Sequence, residues 1–298
     1  MLESARSLYS CPTFIATGVL QQENSCVWMR ADGNWGSRDS SADFVGYDWN
    51  GFSLAIGGQR QVSDDWFVGG SLSYQTDRLD ETGGLTRITS DGLMAALSAK
   101  YQAGRLSLMA ATTLGYAWHG SRREIPVATA TAKADWTMFS FGLHGRAAWR
   151  FGTDRVYLEP ALELDLAWLD ISDYSETGAG AFNLDVHDGS DWIVSATPGL
   201  RAGTRVDLSG GSMLDLYGGA GVEFIHSNDL WASARLSGAG AGVGSFSSSI
   251  DADGTAARLS AGVRLLSSER LELKLQYDGR LGARETLHGG QARLVYRF

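Results

Sequence analysis

Five histidines, His119, His144, His187, His226 and His288, are the side chains in this sequence best suited to acid–base or metal chemistry. None stands in an HExxH arrangement or another ligand spacing. The nearest nucleophile–base pairing by spacing is Ser140 with His144, and a hydrolase would need the two within hydrogen-bond reach and oriented by a third polar group. Residues four apart on a strand share a face but sit ~13 Å apart. His144 would therefore need a partner from a neighbouring strand, and catalysis is not expected. There is no GxxxxGK[ST] phosphate loop, and Gly238-Ala239-Gly240-Ala241-Gly242-Val243-Gly244 is followed by no helix of a βαβ unit, so it reads as a loop rather than a dinucleotide fingerprint. No cofactor is expected.

The elements that carry these residues are legible from composition and periodicity. With 25 basic against 34 acidic side chains and a net charge of −9, the chain has no general attraction for phosphate backbones, so no nucleic-acid partner is expected. Glycine, at 38 of 298 residues, is nearly twice its usual ~7 % share, and it comes with abundant aromatics rather than linker composition. That combination favours β-structure. No stretch approaches the ~18–20 apolar residues of a membrane helix, and nothing after Met1 resembles a signal peptide. The chain is expected to be either cytosolic or a piece of a longer exported protein.

Period-2 alternation dominates from Cys26 onward. In Val156 to Trp168 one parity is Val156, Leu158, Pro160, Leu162, Leu164, Leu166 and Trp168, and the other is Tyr157, Glu159, Ala161, Glu163, Asp165 and Ala167. Strands of a soluble sandwich are usually ~5–6 residues, and these runs are far longer. About twelve such segments follow one another, near 26–37, 44–61, 66–79, 86–102, 105–120, 130–151, 155–172, 183–208, 212–227, 250–266, 270–281 and 287–298.

The connections alternate as well. Ser63-Asp64-Asp65, Ala103-Gly104, Gly152-Thr153-Asp154, Ser209-Gly210-Gly211 and Ser267-Ser268-Glu269 are tight polar turns, whereas those around 38–43, 80–85, 121–129, 173–182, 228–249 and 282–286 tend to be longer. Short turns on one side, long loops on the other and an apolar-out, polar-in dyad define an all-β fold, a closed antiparallel transmembrane barrel of about 12 strands, closed because an open edge would strand backbone groups in hydrocarbon. Trp66, Trp149, Phe151, Tyr296 and Phe298 fall beside the short turns or the terminus, and Trp118, Trp136, Trp168 and Trp192 toward the long loops, as two interfacial girdles would. Pro160 and Pro198 lie inside strands, where each removes a ladder donor, so bulges or open pairing are expected there.

At the residue level the chain resembles the C-terminal translocator barrel of Gram-negative autotransporters, the type V secretion family. Val27-Trp28-Met29-Arg30-Ala31-Asp32-Gly33-Asn34-Trp35-Gly36 is similar to the family's first strand, Tyr47 to Gly57 to its second and Trp66 to Tyr74 to its third. Ala292-Arg293-Leu294-Val295-Tyr296-Arg297-Phe298 resembles its last strand, which ends in aromatic-x-Phe. The resemblance covers roughly 26–298. It implies a twelve-stranded outer-membrane barrel, acting as a monomer, that anchors an upstream passenger and lets it reach the cell surface, with a linker segment, residues 1–25 here, entering the pore. The other reading is a free-standing channel or adhesin barrel working through its loops, especially 228–249.

A barrel of this size stands between side-chain-filled eight-stranded barrels and open porins, and a single helix ~10–12 Å across would fit its lumen. The pore-facing parity carries Arg30 on the first strand, Glu159, Glu163 and Asp165 on the seventh, Arg201 and Arg205 on the eighth, and Asp215 and Glu223 on the ninth. Arg258 and Arg264, then Glu272 and Lys274, then Arg293 continue it on the last three. Both signs are represented, so a wet, charge-balanced wall is expected. Ala292, Leu294, Tyr296 and Phe298 form the outward parity of the last strand, which in the resembled family would be read by the barrel-assembly machinery through strand addition. Cys11 and Cys26 are the only cysteines. In an exported protein the pair suggests a disulfide pinning the pore-entering segment to strand one; two free thiols are the alternative, and metal binding lacks further ligands. Cys11-Pro12-Thr13-Phe14-Ile15-Ala16-Thr17-Gly18 disfavours helix, so only Met1 to Ser10 could supply a linker helix.

Overall fold

Alternation too long for a soluble sheet is realised as a ring. The computed structural model describes residues 12–14, 21–41, 44–153, 155–208, 211–227, 230–240, 244–250, 254–267 and 270–298. Its twelve long strands are β1 (Cys26–Arg38), β2 (Tyr47–Gln61), β3 (Trp66–Glu81), β4 (Thr86–Ala103), β5 (Leu106–Ile125), β6 (Ala130–Trp149), β7 (Val156–Ile171), β8 (Gly189–Asp207), β9 (Met213–Ser227), β10 (Thr255–Leu266), β11 (Leu271–Gly282) and β12 (Glu285–Arg297). Each pairs antiparallel with its sequence neighbours, and β12 pairs with β1 from Arg297↔Cys26 to Glu285↔Arg38, which closes the barrel. No sheet edge is left to face lipid.

Inward and outward residues alternate along every strand. Ile56, Leu72 and Leu97, more than 60 % exposed, show what the outer wall is made of, and such a wall is stable only against hydrocarbon. No helix among the described residues is long and apolar enough to cross a membrane; here the strands are the spanning elements. A bilayer requires ~9–11 residues of tilted strand, and β5 and β6 have 20 each. These strands, with the 19 residues of β8, are longer than a bilayer crossing needs. At the other end β4 turns into β5 through Gly104, whose φ of +56° places the backbone in the left-handed region where a side chain would be strained.

Both prolines interrupt pairing on one side. Pro160 pairs with Leu200 of β8, yet the ladder toward β6 begins only at Ala161↔Ala148 and resumes below at Leu158↔Phe151. Pro198 pairs with Leu162 of β7, while the ladder toward β9 skips from Ala196↔Phe224 to Gly199↔Gly221. The register is the same on both sides of each gap, so the missing donor opens the ladder without a bulge.

Three boundaries differ from the periodicity. β5 runs on to Ile125, leaving a single 3-10 turn at Pro126–Ala128. The segment 183–208 is two strands, Leu184–Val186 and β8, because the first leaves the barrel. The stretch 228–249 is not simply a loop: Leu230–Leu236 and Phe246–Ile250 pair with each other and with Leu184–Val186 and Tyr174–Ser175 in a separate four-stranded sheet. Residues Pro12–Phe14 and Gln21–Glu23 form a two-stranded ladder. Cys11, Met1 to Ser10, residues 241–243 and the expected turn residues Asp154, Ser209, Gly210, Ser268 and Glu269 lie outside the described residues.

Candidate functional site

The interior wall of the barrel carries a polar cavity of about 230 Å³ lined from β4 round to β12. Its anchor is Glu159 on β7. Arg146 donates to its Oε1 at 2.8 Å, Arg150 donates to its Oε2 from Nε at 3.0 Å and from Nη2 at 2.6 Å, and Arg201 lies 3.6 Å from Oε1. The strand register brings them together, since Glu159 is directly opposite Arg201, and Arg146 opposite Glu163, whose carboxylate is 3.3 Å from Arg146 Nε. The Arg150 guanidinium lies over the Tyr157 ring, 4.3 Å from its centroid, and Arg201 over Tyr217 at 5.2 Å. Those rings hold the cations in place without neutralising them. Carboxylates are shared elsewhere too: Glu272 serves Arg264 at 3.6 Å and Arg297, and Glu223 serves Arg280 at 2.7 Å and Arg258 at 3.9 Å.

A second polar chain runs across four strands at mid-wall. His144 Nδ1 is 2.9 Å from Asp165 Oδ1, Ser195 Oγ donates to Asp165 Oδ2 at 3.1 Å, and Thr113 Oγ1 is 3.4 Å from His144 Nε2. Asp165 faces His144 on one side and Ser195 on the other, at the close spacing of direct cross-strand neighbours. Gly142, opposite Thr113, leaves room for the contact, because a Cβ there would sit 2.4 Å from Thr113 Oγ1 and 2.7 Å from His144 Nε2. The order hydroxyl–imidazole–carboxylate is that of an activated nucleophile, but Thr113 is wholly buried and the cavity is lined by other residues. The polar chain satisfies buried polar groups between strands. Among the described residues no group of three His, Cys, Asp or Glu could hold a metal ion.

The four-stranded sheet is clamped to the β5–β6 hairpin at the long-loop end. Arg123 of β5 donates to Glu176 through Nε at 3.0 Å and Nη2 at 2.5 Å, and to the Phe182 carbonyl at 3.0 Å. Glu176 in turn accepts from the Leu184 amide at 2.9 Å, and Lys133 and Thr177 exchange backbone hydrogen bonds of 2.8 Å. Burial pushes the Tyr174 phenol up, with the Glu176 charge adding to it, as its ring stacks on Trp136, centroids 4.7 Å apart. Hydrogen bonds, from Ser175 first and then from Ser237 and Arg235, hold Asp185 below the usual carboxylate range.

The family model described as "Autotransporter beta-domain" matches residues 27–278. The chain belongs to the autotransporter β-domain family. Solved structures that share its fold include the translocator domain of the autotransporter NalP from Neisseria meningitidis, with a TM-score of 0.72 at 16 % identity over 93 % of this chain and 89 % of that one. The β-domain of the Bordetella autotransporter BrkA gives 0.68 at 18 % identity over 93 % and 100 %. The transport unit of AIDA-I from Escherichia coli gives 0.60 at 12 % over 92 % and 90 %. Among curated proteins, the esterase EstA of Pseudomonas aeruginosa is 24 % identical over 216 residues, 70 % of this chain but 32 % of that protein. The chain thus spans about a third of the length of the curated relatives it matches.

In this autotransporter β-domain, Arg30, Glu159, Glu163, Asp165, Arg201 and Arg205 carry the inward parity, as do Asp215, Glu223, Arg258, Arg264, Glu272, Lys274 and Arg293. Ala292, Leu294, Tyr296 and Phe298 point outward, Phe298 being 71 % exposed. Among the described residues that line the cavity, basic side chains outnumber acidic ones. Lys100, Arg146 and Arg150 add to the cationic side and were missed in the sequence, although Arg146 has the same parity as His144 and would have been found by following that face along β6. Ser140 and His144 are not brought together; Thr113 and Asp165, from the strands on either side, are the partners of His144. Trp136 is also corrected, because it faces inward, stacked between His119 and Tyr174, and does not join the outer girdle. Substitution Arg123→Ala is expected to remove about 1.5–3 kcal/mol of charge-assisted hydrogen bonding from the loop clamp. Protease added to cells should then cut within 172–188 faster than in the parent, and an unchanged rate would show that the clamp does not restrain this loop.

Proposed function

We propose that this chain is the outer-membrane translocator and anchor of an autotransporter, delivering an upstream passenger to the cell surface by folding rather than by chemistry of its own. The observation that carries the reading is a closed twelve-stranded barrel whose outer wall fits hydrocarbon and whose inner wall is polar around a cavity. Family membership agrees with it, and EstA supports the notion of a barrel attached to a longer protein, since this chain corresponds to 32 % of it. The barrel itself is read as non-enzymatic, with no cofactor and no nucleic-acid partner. Its partners are outer-membrane lipid, the barrel-assembly machinery and the passenger, and it works as a monomer.

The test fuses a signal peptide and an epitope-tagged passenger ahead of Met1 in a Gram-negative host and treats intact cells with protease. Loss of the tag supports export. A protected tag on a folded, heat-modifiable barrel in the outer membrane would contradict it and favour the channel reading.

Two further assignments belong to this proposal. The outward parity of β12, Ala292, Leu294, Tyr296 and Phe298, serves as the assembly signal, because an exposed apolar strand end is suited to strand addition. Phe298→Ser is expected to lower the amount of folded barrel in cells while leaving refolding of purified protein in detergent nearly unchanged; equal losses in both would assign Phe298 to stability alone. Residues 1–25 are the pore-entering linker, tied down by a Cys11–Cys26 disulfide. Cys26 is fully buried at the base of β1, and chain-entropy arguments value such a cross-link at up to ~3 kcal/mol. Denatured protein should take up thiol-alkylating reagent only after reduction, and uptake before reduction would remove the disulfide from the proposal.

A further inference from the structure

The outer wall is uneven at the seam where β12 closes onto β1. Across β2, β1, β12 and β11 the register sets Phe52, Gly33, Gly290 and Tyr277 at one level and Leu54, Ala31, Ala292 and Leu275 at the next. Small residues on the two central strands are thus flanked by large ones on both sides. A Cβ placed at Gly33 or Gly290 would meet no atom within 4 Å, so the space above them is open. One level further toward the short turns the same four strands carry Ile56, Met29, Leu294 and Leu273, which end the depression. The groove so bounded has a volume of about 660 Å³.

Its upper end is polar. His288 of β12 stands between Trp35 of β1 and Gly279 of β11. Tyr277 leans over Gly279, where a Cβ would sit 3.1 Å from its hydroxyl, and that hydroxyl is 2.6 Å from His288 Nδ1. The Trp35 ring stacks on the imidazole, centroids 5.8 Å apart. A phenol donating to Nδ1 leaves the imidazole proton on Nε2, where no described residue accepts it. His288 is the fourth residue of β12 from the long-loop end. With ~9–11 residues of a tilted strand in hydrocarbon, it stands at the interface on the side of the long loops, which in outer-membrane barrels is the outer leaflet.

The dimensions decide what can enter. Phe52 and Tyr277 are three strand spacings apart, ~14 Å between backbones, and their side chains narrow the opening further. A helix ~10–12 Å across with its side chains is too wide to reach the floor, and the closed barrel presents no edge for a strand. A single hydrocarbon chain is narrow enough.

We propose that the seam groove seats one acyl chain of an outer-leaflet lipid, whose phosphate head accepts a hydrogen bond from His288 Nε2. The proposal rests on the outer-membrane placement of the barrel. Trp35 and Tyr277 border the head as interfacial aromatics do, and Gly33, Gly290, Ala31 and Ala292 let the chain lie close against the wall, as small residues do between membrane helices.

The full 298-residue chain is refolded into phosphatidylcholine vesicles doped with phosphatidylglycerol that carries a mid-chain diazirine, then irradiated, digested and mapped by mass spectrometry. Labelling is expected to be about three- to tenfold denser at residues 29–33 and 290–294 than at Leu158, Leu162 and Leu164, a modest ratio because packing within lipid has no hydrophobic driving force behind it. Gly290→Leu fills the groove and should bring the seam down to the level of β7. His288→Ala leaves the groove open and should lower seam labelling by phosphatidylglycerol but not by a diacylglycerol with the same chain. The two variants act at different ends of the groove, so misfolding of one leaves the other to report. Even labelling around an inserted barrel, a seam signal that Gly290→Leu leaves unchanged, or no selective loss in His288→Ala would overturn the proposal. A barrel that is dimeric in these vesicles and monomeric as Gly290→Leu would give the groove to a second copy and overturn it too. A chain that never inserts removes the outer-membrane reading and this proposal together, whereas an inserted chain labelled evenly removes this one alone.

Discussion

Glu159→Ala is expected to destabilise the barrel by about 3–5 kcal/mol, the cost of removing one partner from a buried ion cluster and leaving the other charges uncompensated. Three guanidinium groups converge on this carboxylate, which is 7 % exposed. Arg146 retains Glu163 at 3.3 Å, but Arg150 and Arg201 lose this carboxylate beside the gap that Pro160 opens between β6 and β7. The backbone ladder is interrupted at this height, so side-chain contacts have a larger share in holding the two strands together. Urea unfolding of the barrel in lipid vesicles, followed by tryptophan fluorescence, measures the loss. A change below about 1 kcal/mol, the size of an exposed pair, would mean that water and neighbouring acids replace Glu159.

The second large effect is on the opposite face of the same strand. Leu164 points outward and is 52 % exposed, which in a bilayer is contact with lipid chains. Leu164→Arg is expected to cost about 2–4 kcal/mol near the bilayer midplane. Glu163→Gln, one residue away on the inner wall, removes an ion pair that is partly wet and should cost about 1 kcal/mol or less. The same vesicle unfolding assay compares them. Equal costs for the two, or a larger one for Glu163→Gln, would contradict the assignment of faces, and with it the direction of every strand's dyad.

The faces were legible in the sequence because a strand's dyad is a local property. The split of Leu158, Leu162 and Leu164 from Glu159, Glu163 and Asp165 is readable without knowing any neighbour, as was the count of about twelve segments, and the match to the autotransporter strands agreed with that count and added the likeness of the last strand. Pro160 and Pro198 were readable for the same reason, since a missing donor is a fact about one residue. What sequence alone could not supply was register. Arg30, Arg293, Lys274 and Arg264 stand opposite one another in turn across four strands, and no one-dimensional spacing places those residues side by side. The same holds for Thr113, His144, Asp165 and Ser195, where reading along β6 selected Ser140 while the true neighbours lay across the sheet.

The four-stranded sheet at the long-loop end was hidden for a different reason. Leu230–Leu236 is short and one of its two partner strands, Leu184–Val186, lies more than 40 residues earlier, so its alternation is weak beside the glycine-rich run that follows. Trp136 carried a misleading signal of its own, because a tryptophan close to a predicted loop suggests an interfacial anchor, whereas its place on the inward parity of β6 puts it between His119 and Tyr174.

The central claim is that a passenger crosses the membrane inside this barrel. The most direct measurement places a photoreactive amino acid either at Glu163, on the inner wall, or at Leu162, on the outer wall, in a fusion carrying a tagged passenger that is slowed during export. Irradiation of intact cells should join the passenger to the barrel from position 163 and not from position 162. A passenger that reaches the surface while linking only from position 162, or from neither, would place its path outside the lumen.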